Sequence, residues 1–143
     1  MTPFPSVEWF DTIREIFNAE DSFRGGGGGT CNASVGFKIG TRAFLTTFEG
    51  FECSNAKEVN EAELAQADFY LDMSPLQWHE MLQNIKTHGH ADLHHTLNTL
   101  DLDGEGISRS VHGDQYREDL FFRYNQTFQY FFDASARIDT RFA

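Results

Sequence analysis

The sequence predicts an α+β fold: a curved, largely antiparallel sheet of about five strands, covered by helices and ending in a long C-terminal helix. Three stretches carry that expectation. Residues 31–54 alternate apolar and polar side chains with the period of strands. Residues 67–89, ADFYLDMSPLQWHEMLQNIKTHG, read as a strand running directly into a helix. Residues 114–136 repeat large apolar side chains at helical spacing. A chain of 143 residues has room for one comfortable core, so one domain over 1–143 is expected.

The first element is a helix over 6–19. Trp9, Phe10, Ile13, Ile16 and Phe17 recur on one stripe, Glu8, Asp11, Arg14 and Glu15 lie mostly opposite, and Ser6 is placed to cap it. Five glycines follow at Gly25 to Gly29. A phosphate-binding loop needs Lys and then Ser or Thr after its last glycine, whereas Thr30-Cys31-Asn32 follows here and no strand precedes. The run is therefore read as a connector. Cys31, Ala33, Val35, Phe37 and Ile39 then mark one face of a strand, and Gly40-Thr41 a tight turn. Residues 42–49 form a second strand, with Phe44, Thr46 and Phe48 on one face. Gly50 suggests a turn or bulge before a third strand at 51–53. Lys57 to Gln66 is acidic and Ala-rich, which suggests a solvated loop with a short helical turn.

The strand–helix junction is the best-defined stretch. Phe69, Leu71 and Met73 share one strand face. Ser74 is a natural N-cap, Pro75 suits the first helical position, and Gly89 can close the helix left-handed. Trp78, Met81, Leu82 and Ile85 fall on one stripe. A short second helix is expected over 91–100, with Leu93, Leu97 and Leu100 inward. The last helix, 114–136, carries Leu120, Phe121, Tyr124, Phe128, Phe131 and Phe132, with Phe122 and Tyr130 widening the stripe. A helix apolar over most of its girth is buried on two sides or borders a ligand. The tail from Arg137 is expected to fray.

The net charge of −11 argues against binding a phosphate backbone or docking on anionic lipid. No apolar run approaches the roughly 20 residues that span a bilayer, and the N-terminal MTPFPSVEWFD lacks the basic and apolar regions of a signal peptide. Cys31 and Cys53 are then expected to be reduced, in a cytoplasmic setting. Aromatic residues are 15% of the chain, 15 of them Phe, which is more than a core this small usually needs. The surplus points to an aromatic-rich core, a pocket or a subunit interface.

Motifs for chemistry are sparse. His88, His90, His94 and His95 cluster beside Asp92, with His90 and His94 one helical turn apart, but Gly89 interrupts the helix and no further ligand has a defined place. No metal is expected. Asp101-Leu-Asp103-Gly-Glu105-Gly106 starts like a calcium loop, yet the twelfth position is His112 rather than Glu. Nucleophile elbow, Cys-X-X-Cys and His-Glu-X-X-His are absent, and no cofactor is expected.

The order of these elements resembles the sterol-carrier-protein-like lipid-transfer domains over roughly residues 6–110. The residues that carry it are Ala67-Asp68-Phe69-Tyr70-Leu71-Asp72 leading a strand and Met73-Ser74-Pro75-Leu76-Gln77-Trp78 opening a helix. The resemblance implies an apolar tunnel between sheet and helices that holds a fatty acyl chain, a sterol or a similar lipid. Thr99-Leu100-Asp101-Leu102-Asp103-Gly104 departs from the Gly-Lys-Leu-like strand and Gly-Asp turn of that family. The last helix is also longer and more aromatic, which places Phe side chains where the tunnel would lie.

The leading expectation is a binding module for a hydrophobic small molecule, with Trp78, Met81 and Leu82 facing Phe121, Phe128 and Phe131. A homodimer through the Phe-rich last helix is compatible with it. The alternative is a small enzyme or accessory subunit acting on an apolar substrate, with His79 or the 88–95 histidines as acid and base.

Overall fold

A computed structural model of the protein describes residues 2–20, 31–50, 52–92, 96–97, 108–109 and 115–142, without the side chains of 115–119, 122 and 123. Strand β1 (Thr2–Phe4) leads into helix α1 (Val7–Ala19). Ser6 Oγ accepts the N–H of Trp9 at 3.0 Å, which satisfies one of the donors that a helix start leaves without an intrahelical partner. Trp9, Phe10, Ile13 and Phe17 form the buried face of α1.

Strands β2 (Ala33–Ile39), β3 (Arg42–Glu49) and β4 (Glu52–Val59) make the expected antiparallel meander. Gly40 turns the chain between β2 and β3 at φ 62°, a left-handed conformation open to glycine at little cost. β4 runs well past the expected 51–53 strand, to Val59. Its alternation is broken by one extra residue: Cys53 pairs with Phe48 and Asn55 with Thr47, which leaves Ser54 as a bulge. The buried positions become Cys53, Ala56 and Val59, a spacing of three that no longer looks like a strand. β4 is also an edge strand, and edge strands are commonly polar.

The five-stranded sheet has the order β4-β3-β2-β5-β6, where β5 is Phe69–Met73 and β6 is Ser108–Arg109. β5 lies beside β2 and runs parallel to it, while the other described pairs in this sheet are antiparallel. The chain reaches that place from the far edge through a 3-10 turn at Glu63–Gln66. Leu64 and Ala67 pack there with Ala43, Leu45 and Val59 in a small cluster separate from the main core. Asp68 fastens the parallel pair at its start: its N–H donates to Ser34 O at 2.7 Å, and its Oδ2 accepts Ser34 N–H at 2.9 Å.

Helix α2 (Pro75–His88) follows β5 with a single residue between them. Ser74 Oγ accepts Gln77 N–H at 3.2 Å and Gln77 Oε1 accepts Ser74 N–H at 2.9 Å, a reciprocal capping box. Pro75 opens the helix and Gly89, at φ 83°, ends it. Helix α3 (Gln115–Asp133) continues into a 3-10 turn at Ala134–Arg137. The tail does not fray. Strand β7 (Thr140–Phe142) pairs in parallel with β1, Thr2 opposite Thr140 and Phe4 opposite Phe142. Trp9 Nε1–H donates to Thr140 Oγ1 at 3.0 Å, and Lys86 Nζ donates to the carbonyls of Ala136 and Ile138.

Of the expected helix over 91–100, residues 91, 92, 96 and 97 are described, and Leu97 is buried in the core. The Gly25–Gly29 run, Phe51, His94, His95 and Asp101–Gly106 lie outside the described residues. Cys31 and Cys53 are buried free thiols, and burial pushes both up to about 12.

Candidate ligand-binding site

The space between the sheet and the helices is filled by rings. Phe37, at the centre of β2, lies 5.7 Å from Phe10 of α1, 6.1 Å from Trp78 of α2, and 6.2 and 5.0 Å from Phe131 and Phe132 of α3. Phe48 of β3 meets Phe128 at 5.2 Å and Phe131 at 5.4 Å, and Phe69 of β5 meets Phe128 at 5.6 Å. Many of these contacts are edge-on, the arrangement that brings a positive ring edge to a negative face.

All six residues expected to bind ligand, Trp78, Met81, Leu82, Phe121, Phe128 and Phe131, belong to this one buried cluster. Trp78 touches α3 through Phe132 at 5.2 Å, and Phe37 stands between Trp78 and Phe131. Trp78 is anchored by its Nε1–H, which donates to Lys38 O at 2.9 Å. Leu82 also borders a cavity of about 200 Å³ with Gln83, Lys86, Ser135 and Thr140. Phe121, Phe128, Phe131 and Phe132, the stripe on which the dimer expectation rested, are buried within the chain itself.

A larger cavity, about 530 Å³, opens where the chain leaving α2 passes over α3. His90, Thr96, Asn125, Gln129, Tyr130 and Asp133 line it. Gln129 and Asp133 are polar yet only 6% and 5% exposed. Gln129 Oε1 accepts the N–H of Leu97 at 2.7 Å, and Asp133 Oδ1 accepts the N–H of Ala91 at 3.3 Å. Gln129 Nε2–H donates to Asp133 Oδ1 at 3.1 Å, linking the two anchors. Ala91 and Leu97 belong to the aromatic cluster, so this seam ties the chain at these two residues to α3. Neither residue stands out in the sequence as a site residue. A signal is present nonetheless, since Gln129 and Asp133 stand one turn apart beside the apolar stripe of α3.

Burial raises the pKa of Asp133 above the ordinary carboxylate value. The bonds from Gln129 and Ala91, and the nearby His90, offset part of that rise. A carboxyl raised on folding adds stability below its unfolded pKa, and that contribution is lost as pH rises through the folded value. Asp133→Asn is therefore expected to match or exceed the parent in Tm at pH 7. Its advantage should shrink as pH falls through the acid range toward the ordinary carboxylate value. Paired thermal melts across that range check this, and a variant weaker at pH 7 than at low pH, relative to the parent, contradicts it.

The described histidines make separate contacts. His79 stacks on Phe142 at 3.9 Å between centroids, on the outer side of α2. His88 Nδ1 bonds with Asn84 O, and His90 Nδ1 with Ala91 O. Among the described residues no group of three or more His, Cys, Asp or Glu is placed to hold a metal, and no helix is long and apolar enough to cross a membrane.

No protein-family model and no curated protein matches the chain. A solved structure does. It is the solution structure of a conserved hypothetical protein from Thermus thermophilus, put forward as a candidate sterol carrier protein. The two share 18% sequence identity at a TM-score of 0.66, over 95% of this chain and 90% of that one. The fold is sterol-carrier-like. At that identity the likeness is one of architecture alone; in this chain that architecture is an open, mostly antiparallel sheet backed by helices. Within this fold the ring layer fills the space between sheet and helices, and the polar cavity lies at its edge, lined in part by Ala91 and Thr96.

Proposed function

We propose that the protein, as one domain over residues 1–143, binds and carries a hydrophobic small molecule of the lipid class. The ligand's apolar part sits against the ring layer, with Trp78, Met81, Leu82, Phe121, Phe128 and Phe131 as its wall. The observation that carries the reading is the continuous layer of aromatic side chains between the sheet and α1–α3. The sterol-carrier-like fold supports it. Buried free cysteines fit a reducing, cytoplasmic setting.

A ligand enters this layer by moving what covers it. Beside the polar cavity the chain is held through the backbone N–H groups of Ala91, Asp92 and Leu97, which Asp133, Asn84 and Gln129 accept. Freeing a buried backbone N–H costs roughly 1–3 kcal/mol, a cost that a ligand preferring the open state offsets bond by bond. Where rings part to admit the ligand, its own apolar surface packs against them instead, at about 25 cal/mol per Å² removed from water.

Trp9 and Trp78 are the only tryptophans in the chain, and both are buried. In Trp9→Phe, Trp78 reports alone. Titrating this variant with acyl chains brominated near the tail is expected to quench Trp78 saturably, more strongly for longer chains. An unquenched Trp78, or quenching that ignores chain length, contradicts the proposal.

A further inference from the structure

The geometry points to a head-group site in the 530 Å³ cavity beside α3, suited to an uncharged, hydroxyl-bearing head such as a glycerol ester. The inference rests on the carrier reading and specifies the polar end of its ligand. Three observations support it.

The first is the chemistry of the lining. Asn125, Gln126 and Gln129 offer amides, Thr96 and Tyr130 hydroxyls, and Asp133 a carboxylate. Amides and hydroxyls both donate and accept, which matches alcohol groups. The second is charge. Among the described lining residues there is no Lys or Arg, so a carboxylate or phosphate head finds neither among them and faces Asp133. A cationic head is poorly served, because Asp133 already receives two N–H groups and stands near His90. The third is availability. The side chains of Asn125 and Gln126 make no hydrogen bond with another described residue, although Asn125 is half-buried at the cavity wall. Gln129 and Asp133, by contrast, are fixed and shape the floor.

The cavity also lies where such a head belongs. Its floor is the seam that holds Ala91 and Leu97 onto the rings. A head lodged there lies beside Ala91, from which its chain can enter the aromatic layer.

The test compares three probes with one tail: 1-monolaurin, methyl laurate and laurate, by calorimetry at pH 7.5. Monolaurin is expected to bind at least tenfold more tightly than the other two. In Asn125→Leu, which breaks no bond to a described residue, that advantage should fall to within about threefold. The side-chain amide resonances of Asn125 and Gln126 should shift with monolaurin and not with methyl laurate. Equal affinity for all three probes, or an advantage untouched by Asn125→Leu, overturns the head-group site and leaves the carrier reading standing. Absence of binding by every probe overturns both. Monobutyrin binding as tightly as monolaurin, with the same amide shifts, keeps the head-group site and removes the carrier reading.

Discussion

Phe37→Ala is expected to cost roughly 3–5 kcal/mol of folding stability, the range for truncating a fully buried Phe. Domains of this kind have about 5–15 kcal/mol in total, so the variant sits near the edge of folding. The size follows from position. Phe37 is the ring on which α1, α2 and α3 converge, through Phe10, Trp78, Phe131 and Phe132. Its pairing partners in the sheet are fixed as well, Phe44 on β3 and Leu71 on β5. Neighbours held on both sides collapse poorly into the gap, so most of the cavity persists. Phe37→Leu should cost clearly less, because it refills part of that volume. Urea titration followed by circular dichroism measures both variants, and the transition midpoint should move with its slope unchanged. A loss under about 1 kcal/mol for Phe37→Ala, well below the usual range, would mean that the ring layer is not the common core of the three helices.

Gly36→Ala is the second large effect, and it acts by crowding rather than by loss. A Cβ at residue 36 would lie 2.6 Å from Leu64 Cδ2 and 2.8 Å from Tyr70 Cβ. The leucine methyl is the end of a side chain and can rotate away. Tyr70 Cβ cannot, because it is bonded to the backbone of β5, which pairs with Gly36 in parallel register. Overpacking at such a site costs roughly 1–3 kcal/mol. Adding Leu64→Ala to Gly36→Ala removes the first clash and leaves the second, so the double variant should recover only part of the loss contributed by crowding. Thermal melts of the single and double variants measure this. A fully neutral Gly36→Ala would mean that the segment carrying Leu64 does not cross the sheet at this point.

These two positions also mark what the sequence disclosed and what it did not. Phe37 is legible, because it sits in an unbroken alternation from Cys31 to Ile39. So is α2, whose Ser74, Pro75 and Gly89 state its start and end in local chemistry. Gly36 looks like one more polar-face position, because its requirement comes from Leu64 and Tyr70, distant in sequence and close only after the crossover. The parallel pairing of β1 with β7 is hidden for the same reason: it joins the two ends of the chain, and three-residue strands leave no periodic trace. β4 is longer than its sequence pattern suggests because a bulge at Ser54 destroys the alternation on which strand recognition depends.

The candidate site divides along the same line. Its apolar members are visible as stripes on two helices, and all six fall in one cluster. Their mutual arrangement is not visible, since Trp78 meets α3 through Phe132 and both rings also pack on Phe37 of the sheet. Gln129 and Asp133 escape notice because a polar residue on a helix defaults to the solvent side. What places them inside is the chain at Ala91 and Leu97, whose N–H groups need acceptors once buried.

The measurement that bears most directly on the central claim is native mass spectrometry of the protein purified from its own host, with denaturing extraction of anything bound. The account predicts a co-purified apolar molecule in one-to-one ratio, released on denaturation and identifiable by mass as a lipid. A protein that comes from its host without such a ligand, and that also takes up no added acyl chain, would contradict the account and leave the aromatic layer as core alone.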